Sequence, residues 1–248
     1  MNGAVREMLI SCSSLLDGAQ KAEGTAVVVD VFRAFTCTPL MFSLGIKRSI
    51  LVATPEEALA LKRHDPKLIL VGESGGVPIK GFDLGNSPSQ ILRQETGFFR
   101  DKIVVQRTSA GVQGALAALD VAAEVLLGSY PLCAAIARYI SARSPDRVSI
   151  VAMGVQLKEK APEDEWCARY LAHLLGAADY NHNEALRDIL FQETAQKFLR
   201  ADKPHFPPED PILCLQRDIY DFTLGVVREA DLVFVRKVEQ SQGGKDGL

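Results

Sequence analysis

A chain of 248 residues, 47% hydrophobic and 24% charged, has the balance of a soluble globular protein and is long enough to bury a sizeable core. A net charge of −3 offers no basic footprint for nucleic acid, and acidic clusters on so nearly neutral a chain suit cations better than polyanions. Five dispersed cysteines without a C-x-x-C pair, a start without signal-peptide pattern, and an apolar stretch (114–127) interrupted by Asp120 and Glu124 exclude a disulfide scaffold and a membrane span, and predict a cytoplasmic protein.

From the N-terminus, short β-branched runs alternate with amphipathic helical patterns. Strands are predicted over 8–12, 26–32, 49–53, 68–71, 103–106, 125–127, 148–152 and 232–235. Helices are predicted between them over 36–44, 55–63, 88–95, 112–119 and 132–142. The alternation predicts an α/β fold whose sheet is largely parallel, with helices on both faces. Residues 162–226 break the rhythm and read as three helices, over 162–175, 183–199 and 210–227, with the proline-rich KPHFPPEDP joining the last two. Without a repeat or a convincing linker, 1–238 is expected to be a single domain, and 239–248 a disordered tail.

Ligands of open α/β sheets bind beyond the carboxyl ends of the strands, so the residues that follow each strand carry the functional reading. Asp30, Arg33 and Thr36 follow the apolar run Ala26–Val29 of the second strand, and Glu73 with Gly75 and Gly76 follows the fourth, ahead of the loop holding Asp83, Asn86 and Ser87. Arg107, Thr108 and Ser109 follow the fifth, and Ser129 the sixth. These clusters are expected to converge on one sheet edge. Asp30, at the end of VVVDVF, is the hardest to read as merely structural, because a carboxylate buried there unpaired would be costly. Gly75 and Gly76 could let backbone amides approach a phosphate, and the helix opening after Ser109 is a ready anion site.

Blander readings compete. Ser87-Pro88 and Thr54-Pro55 open helices as capping boxes, and Glu163 and Asp164 suit a first helical turn whatever their function. Several phosphatase chemistries are absent: there is no C-x5-R loop, no second aspartate after Asp30-Val31, and no histidine acid phosphatase signature at Arg63-His64. His64, His173, His182 and His205 are scattered without ligand spacing, and neither GxxxxGK[ST] nor GxGxxG occurs.

Taken together, Asp30-Val31-Phe32-Arg33-Ala34-Phe35-Thr36, Gly72-Glu73, the block Gly81-Phe82-Asp83-Leu84-Gly85-Asn86-Ser87-Pro88, Thr108-Ser109-Ala110-Gly111, Gly128-Ser129 and Glu163-Asp164-x-x-Cys167-Ala168 resemble the motifs of the 2-phosphosulfolactate phosphatase, or ComB-like, family. The resemblance implies a three-layer α/β/α fold and a Mg2+-dependent phosphatase that hydrolyses 2-phosphosulfolactate to sulfolactate and phosphate, a step toward coenzyme M. It also suggests a homodimer. Ser74, Ala110, Val112 and Arg169 depart from the family pattern and bear on the substrate more than on the reaction.

The expected mechanism is metal-assisted phosphomonoester hydrolysis, with Asp30, Glu73 and Asp83 as hard oxygen ligands of Mg2+. Asp30, Glu163 and Asp164 are the expected catalytic carboxylates, with either of the last two orienting the attacking water. Arg33, Asn86, Ser87, Arg107, Thr108, Ser109 and Ser129 are expected to bind the small phosphate ester. Two alternatives stand beside it: a phosphatase for another 2-hydroxy-acid phosphate, and a non-catalytic anion-binding protein.

Overall fold

In the computed structural model, which describes residues 8–238, the chain runs β1 (Leu9–Ser14), α1 (Leu15–Gln20), β2 (Thr25–Val29), α2 (Ala34–Ser43), β3 (Arg48–Leu51), α3 (Pro55–His64), β4 (Ile69–Ser74) and β5 (Val77–Pro78). There follow α4 (Pro88–Leu92), β6 (Ile103–Arg107), α5 (Gly111–Leu119), β7 (Glu124–Gly128), α6 (Cys133–Arg143), β8 (Arg147–Ala152) and α7 (Pro162–Leu174). The last part holds α8 (His182–Leu190), α9 (Glu193–Leu199), α10 (Glu209–Cys214), β9 (Thr223–Glu229) and β10 (Leu232–Val238). The tail expected over 239–248 lies outside the described residues.

The fold is α/β with a mixed sheet in the order β1-β8-β2-β7-β9-β10-β3-β6-β4-β5. Strand β2, TAVVV, is buried at every position, as an unbroken valine run requires when helices cover both faces. Helices α1 and α5 pack together, as do α6 and α7. Both pairs cover the strands around β7 and β8, so they lie on opposite faces and make the outer layers. Thr54 and Ser87 cap α3 and α4 as their sequences predict, accepting the amides of Glu57 and Gln90.

The sheet departs from the expected single edge. Strands β1, β8, β2 and β7 form one parallel block, and β3, β6 and β4 another. Between them the β9–β10 hairpin pairs antiparallel with β7 and with β3. Three successive antiparallel pairings reverse direction, so the two blocks run in opposite senses along the ladder. Their carboxyl ends still meet, since Asp30 and Gly154, beyond β2 and β8, line one cleft with Glu73 of β4; α2 is buried from Ala34 to Phe42. The side chain of Gln106, at the end of β6, bonds both Thr38 and the carbonyl of Ala34 across this junction.

Two helical expectations are corrected. The helix expected over 183–199 breaks at Gln192, whose backbone is extended. Buried Ala185 and Ile189 are followed by buried Ala195 and Phe198, a phase change that one continuous helix cannot make. The helix expected over 210–227 ends at Cys214, and TLGVVRE becomes β9, consistent with its β-branched residues and an interior glycine that disfavours helix.

Candidate active site

A cleft of about 200 Å³ lies where the two blocks meet, lined by the acids Asp30, Glu73, Glu163 and Asp164 and by Lys197, Phe198 and Phe206. Asp30 follows β2 directly. Its Oδ1 accepts the Ala34 amide at 3.1 Å and its Oδ2 the Gly111 amide, the first of α5, at 2.8 Å. Gly111 is required by that approach, since a Cβ there would sit 2.6 Å from Asp30 Oδ2. Glu73, near the end of β4, accepts the Ser109 amide at 2.6 Å through Oε1, and the Gly76 amide at 2.5 Å and the Ser109 hydroxyl at 3.1 Å through Oε2.

These contacts answer the expectation of a phosphate cradle. The amides of Ser109, Gly111 and Gly76 are each occupied by one of the protein's own carboxylates, and the Val112 amide by Thr108 Oγ1 at 3.0 Å. The helix dipole favours an anion at this position, and Asp30 supplies it. What the cleft offers from this side is therefore acceptors.

Helix α7 brings two more acids. Asp164 ties the amides of Val31 at 2.7 Å and Gly154 at 2.8 Å, and Glu163 accepts the Thr194 hydroxyl of α9 at 2.7 Å. Crowding changes their acidity. Burial, then the negative charges of Glu73 and Glu163, push the Asp30 carboxyl up to about 7 against the pull of its two amide donors. Burial, then Asp30 and Glu163, raise Asp164 well above the usual range, and burial raises Glu163. Carboxyls shifted toward neutrality in a cleft are suited to proton transfer or to a cation.

Arg33 lies at this cleft, but its charge is matched internally. Its side chain is 4% exposed, and it donates to Asp210 Oδ2 at 2.7 Å and to the His205 carbonyl at 2.9 Å. The guanidinium lies 5.1 Å from the ring centre of Phe198 and 5.4 Å from that of Phe206. Asp210 also accepts from the Ser87 hydroxyl and the Ser89 amide, both at 3.0 Å, which ties α10 to α4. Arg107 donates to the Glu73 carbonyl at 2.7 Å and supports the loop from behind.

The structure thus gathers Asp30, Arg33, Glu73, Asn86, Ser109, Glu163 and Asp164 around one cleft. Asn86 is buried there with its Oδ1 lacking a partner. Asp83 lies elsewhere: its Oδ2 accepts the Leu70 amide at 2.7 Å and pairs with Lys62 at 2.5 Å, so the expected three-carboxylate ligand set is not assembled. Among the described residues no three His, Cys, Asp or Glu side chains converge as a ready-made metal cage. Ser87 caps α4, Thr108 accepts the Val112 amide in the first turn of α5, and Ser129 is buried, donating to the Phe35 carbonyl at 2.6 Å.

Lys197, Phe198, Phe206 and Asp210 were not anticipated from the sequence. A buried arginine demands a carboxylate, which is the signal for Asp210, but nothing local says which acid answers. Lys197 comes into the cleft because α9 begins afresh at Glu193, placing Thr194, Lys197 and Phe198 on one face.

A carboxylate-lined cleft at the strand ends of an α/β sheet stands where enzymes of this fold class place their sites. A family profile described as 2-phosphosulpholactate phosphatase matches residues 12–225. The chain is 32% identical over 215 residues to a protein of Bacillus subtilis named "Probable 2-phosphosulfolactate phosphatase", covering 86% of this chain and 91% of the relative. It is 34% identical over 216 residues to a protein of the same name from Thermus thermophilus, covering 87% and 84%. The chain belongs to the 2-phosphosulpholactate phosphatase family. Among the described residues no helix is long and apolar enough to cross a membrane.

Proposed function

We propose that the cleft hydrolyses the phosphate monoester of a small 2-hydroxy acid, with 2-phosphosulfolactate as the favoured substrate and Mg2+ as the counter-ion. The observation that carries this reading is the occupation of the strand-end amides by Asp30 and Glu73. A dianionic ester meets acceptors on that side, so a cation has to stand between them. The donor set fits Mg2+ held by two carboxylates, the usual protein share when substrate oxygens and water complete the octahedron. Asp30 and Glu73 would hold it, each retaining oxygen lone pairs beyond its amide bonds, and the unpartnered Asn86 Oδ1 adds a neutral acceptor. When bound, the ion supplies neutralisation of the phosphoryl oxygens and of the charge growing on the leaving oxygen.

Glu163 takes the proton from the attacking water, a role favoured by its raised basicity and by the Thr194 hydroxyl that orients it. Asp164 acts as a positioning residue, fixing Val31 beside Asp30 and Gly154 at the end of β8. The four departures from the family pattern support the family substrate. Ser74, Ala110, Val112 and Arg169 do not line the cleft; Arg169 donates to the Asp179 carbonyl at 2.6 Å, at the far side of α7. The free thiols, with Cys133 and Cys167 buried 3.6 Å apart, support a reducing, cytoplasmic setting.

The test is phosphate release from 2-phosphosulfolactate and a panel of 2-hydroxy-acid phosphates, in chelator and after Mg2+ is restored. Chelation should abolish turnover and Mg2+ should return it. Full activity in excess chelator overturns the metal; no release from any of these esters overturns the hydrolase reading.

A further inference from the structure

A substrate of the proposed class carries a second acidic group beside its phosphate, and that group needs a cation. The two arginines nearest the cleft do not supply one, since Arg33 is matched by Asp210 and Arg107 supports the Glu73 loop. Lys197 is different. It lines the cleft from α9, and among the described residues no carboxylate lies within ion-pair distance of its ammonium. Its Nζ rests 5.3 Å from the ring centre of Phe198 and 5.2 Å from that of Phe206, and the charges of Glu163, Arg33 and Glu73 act on it. Gly76, with φ +84° and a would-be Cβ 2.7 Å from Phe206, lets the acidic loop close against this aromatic wall.

The cleft therefore offers two kinds of group. Asp30 and Glu73 present carboxylates, where a cation would neutralise the phosphoryl group; α9 presents an ammonium beside two aromatic rings, which suits a short carbon skeleton ending in an acid. We propose that Lys197 binds the substrate's second acidic group and is the residue by which this enzyme distinguishes acid-bearing from neutral phosphate esters. The proposal rests on the hydrolase reading above and deepens it. The attraction of the Phe198 and Phe206 rings restricts the ammonium, so the site selects for the distance between the two anions as well as for charge.

The matched probes are 2-phospholactate and isopropyl phosphate, which differ by a carboxylate in place of a methyl group. Lys197→Met keeps the stem on the aromatic floor and removes the charge; Lys197→Arg keeps the charge. The wild type should prefer 2-phospholactate in kcat/KM, and Lys197→Met should shrink that ratio roughly 10- to 150-fold, the usual worth of a hydrogen bond to a charged group. The loss should appear chiefly in KM for the acid-bearing ester, and Lys197→Arg should recover much of it. A ratio unchanged in Lys197→Met overturns the proposal, and so does an equal loss on both esters, which would place Lys197 at the phosphoryl group. If the wild type cleaves neither ester and releases no phosphate from 2-phosphosulfolactate, the hydrolase reading fails by itself. Calorimetric binding of the two esters then decides Lys197 separately: weaker 2-phospholactate binding in Lys197→Met upholds it, and unchanged binding overturns it.

Discussion

Asp30, a proposed ligand of the metal, also has a structural task. Both its oxygens accept backbone amides, from Ala34 and from Gly111. An asparagine would turn an NH2 toward one of those N–H groups, so Asp30→Asn should lose about 1–3 kcal/mol of stability, the usual cost of a buried donor without an acceptor. It should also lose on the order of a hundredfold or more in kcat. Urea unfolding and turnover on the same preparation measure both, and normal stability would show that the amides find other partners. The carboxyl itself ordinarily titrates near 4 and is pushed up to about 7 in the fold. Between those values the native chain holds a proton that the unfolded chain has released. Its contribution to stability is thus present below about pH 4, declines as pH rises through about 7, and levels off above. Glu163 and Asp164 shift in the same direction. Mg2+ competes with that proton, so its stabilisation in a melting experiment should grow from pH 5.5 to pH 8.5. A Mg2+ effect of the same size at both pH values would remove Asp30 from the ligands.

Among elements, the join between α2, α4 and α10 rests on Arg33 and Asp210, the latter 0% exposed. Arg33→Met should cost about 3–5 kcal/mol, because it leaves a buried carboxylate uncompensated. Adding Asp210→Asn should return more than half, since an amide oxygen can still accept from Ser87 and Ser89. No recovery would mean that the aromatic packing of the guanidinium, more than its charge, carries the join. This scale also separates what the sequence made legible from what it did not. Asp30 and Glu73 were legible because a carboxylate directly after, or near the end of, a buried apolar strand has little choice of position. Asp83 sits in the most specific motif of the chain, yet Lys62 on α3 claims it, a tertiary pairing that no local pattern announces. Lys197 was hidden by the break at Gln192, where neither Gly nor Pro marks the end of the helix.

At the scale of the whole molecule, the alternation of strands and helices was legible, and so were the buried valine strands and the helix caps, because each depends on neighbours in sequence. The reversal of the second block was not, because it follows from where a hairpin inserts. Strands β9 and β10 form the centre of the sheet, although they come last among the described elements. A ribosome therefore delivers the two blocks before the piece that joins them. Until then β7 and β3 each present an unpaired ladder edge, the condition under which chains pair with one another instead of with themselves. A chain ending at residue 222 should consequently collect as sedimentable aggregate, and adding residues 223–238 as a separate peptide during refolding should rescue part of it into soluble protein. The active site shares that timetable: its acids are translated early, but the enzyme cannot begin work until the last hairpin has closed the sheet.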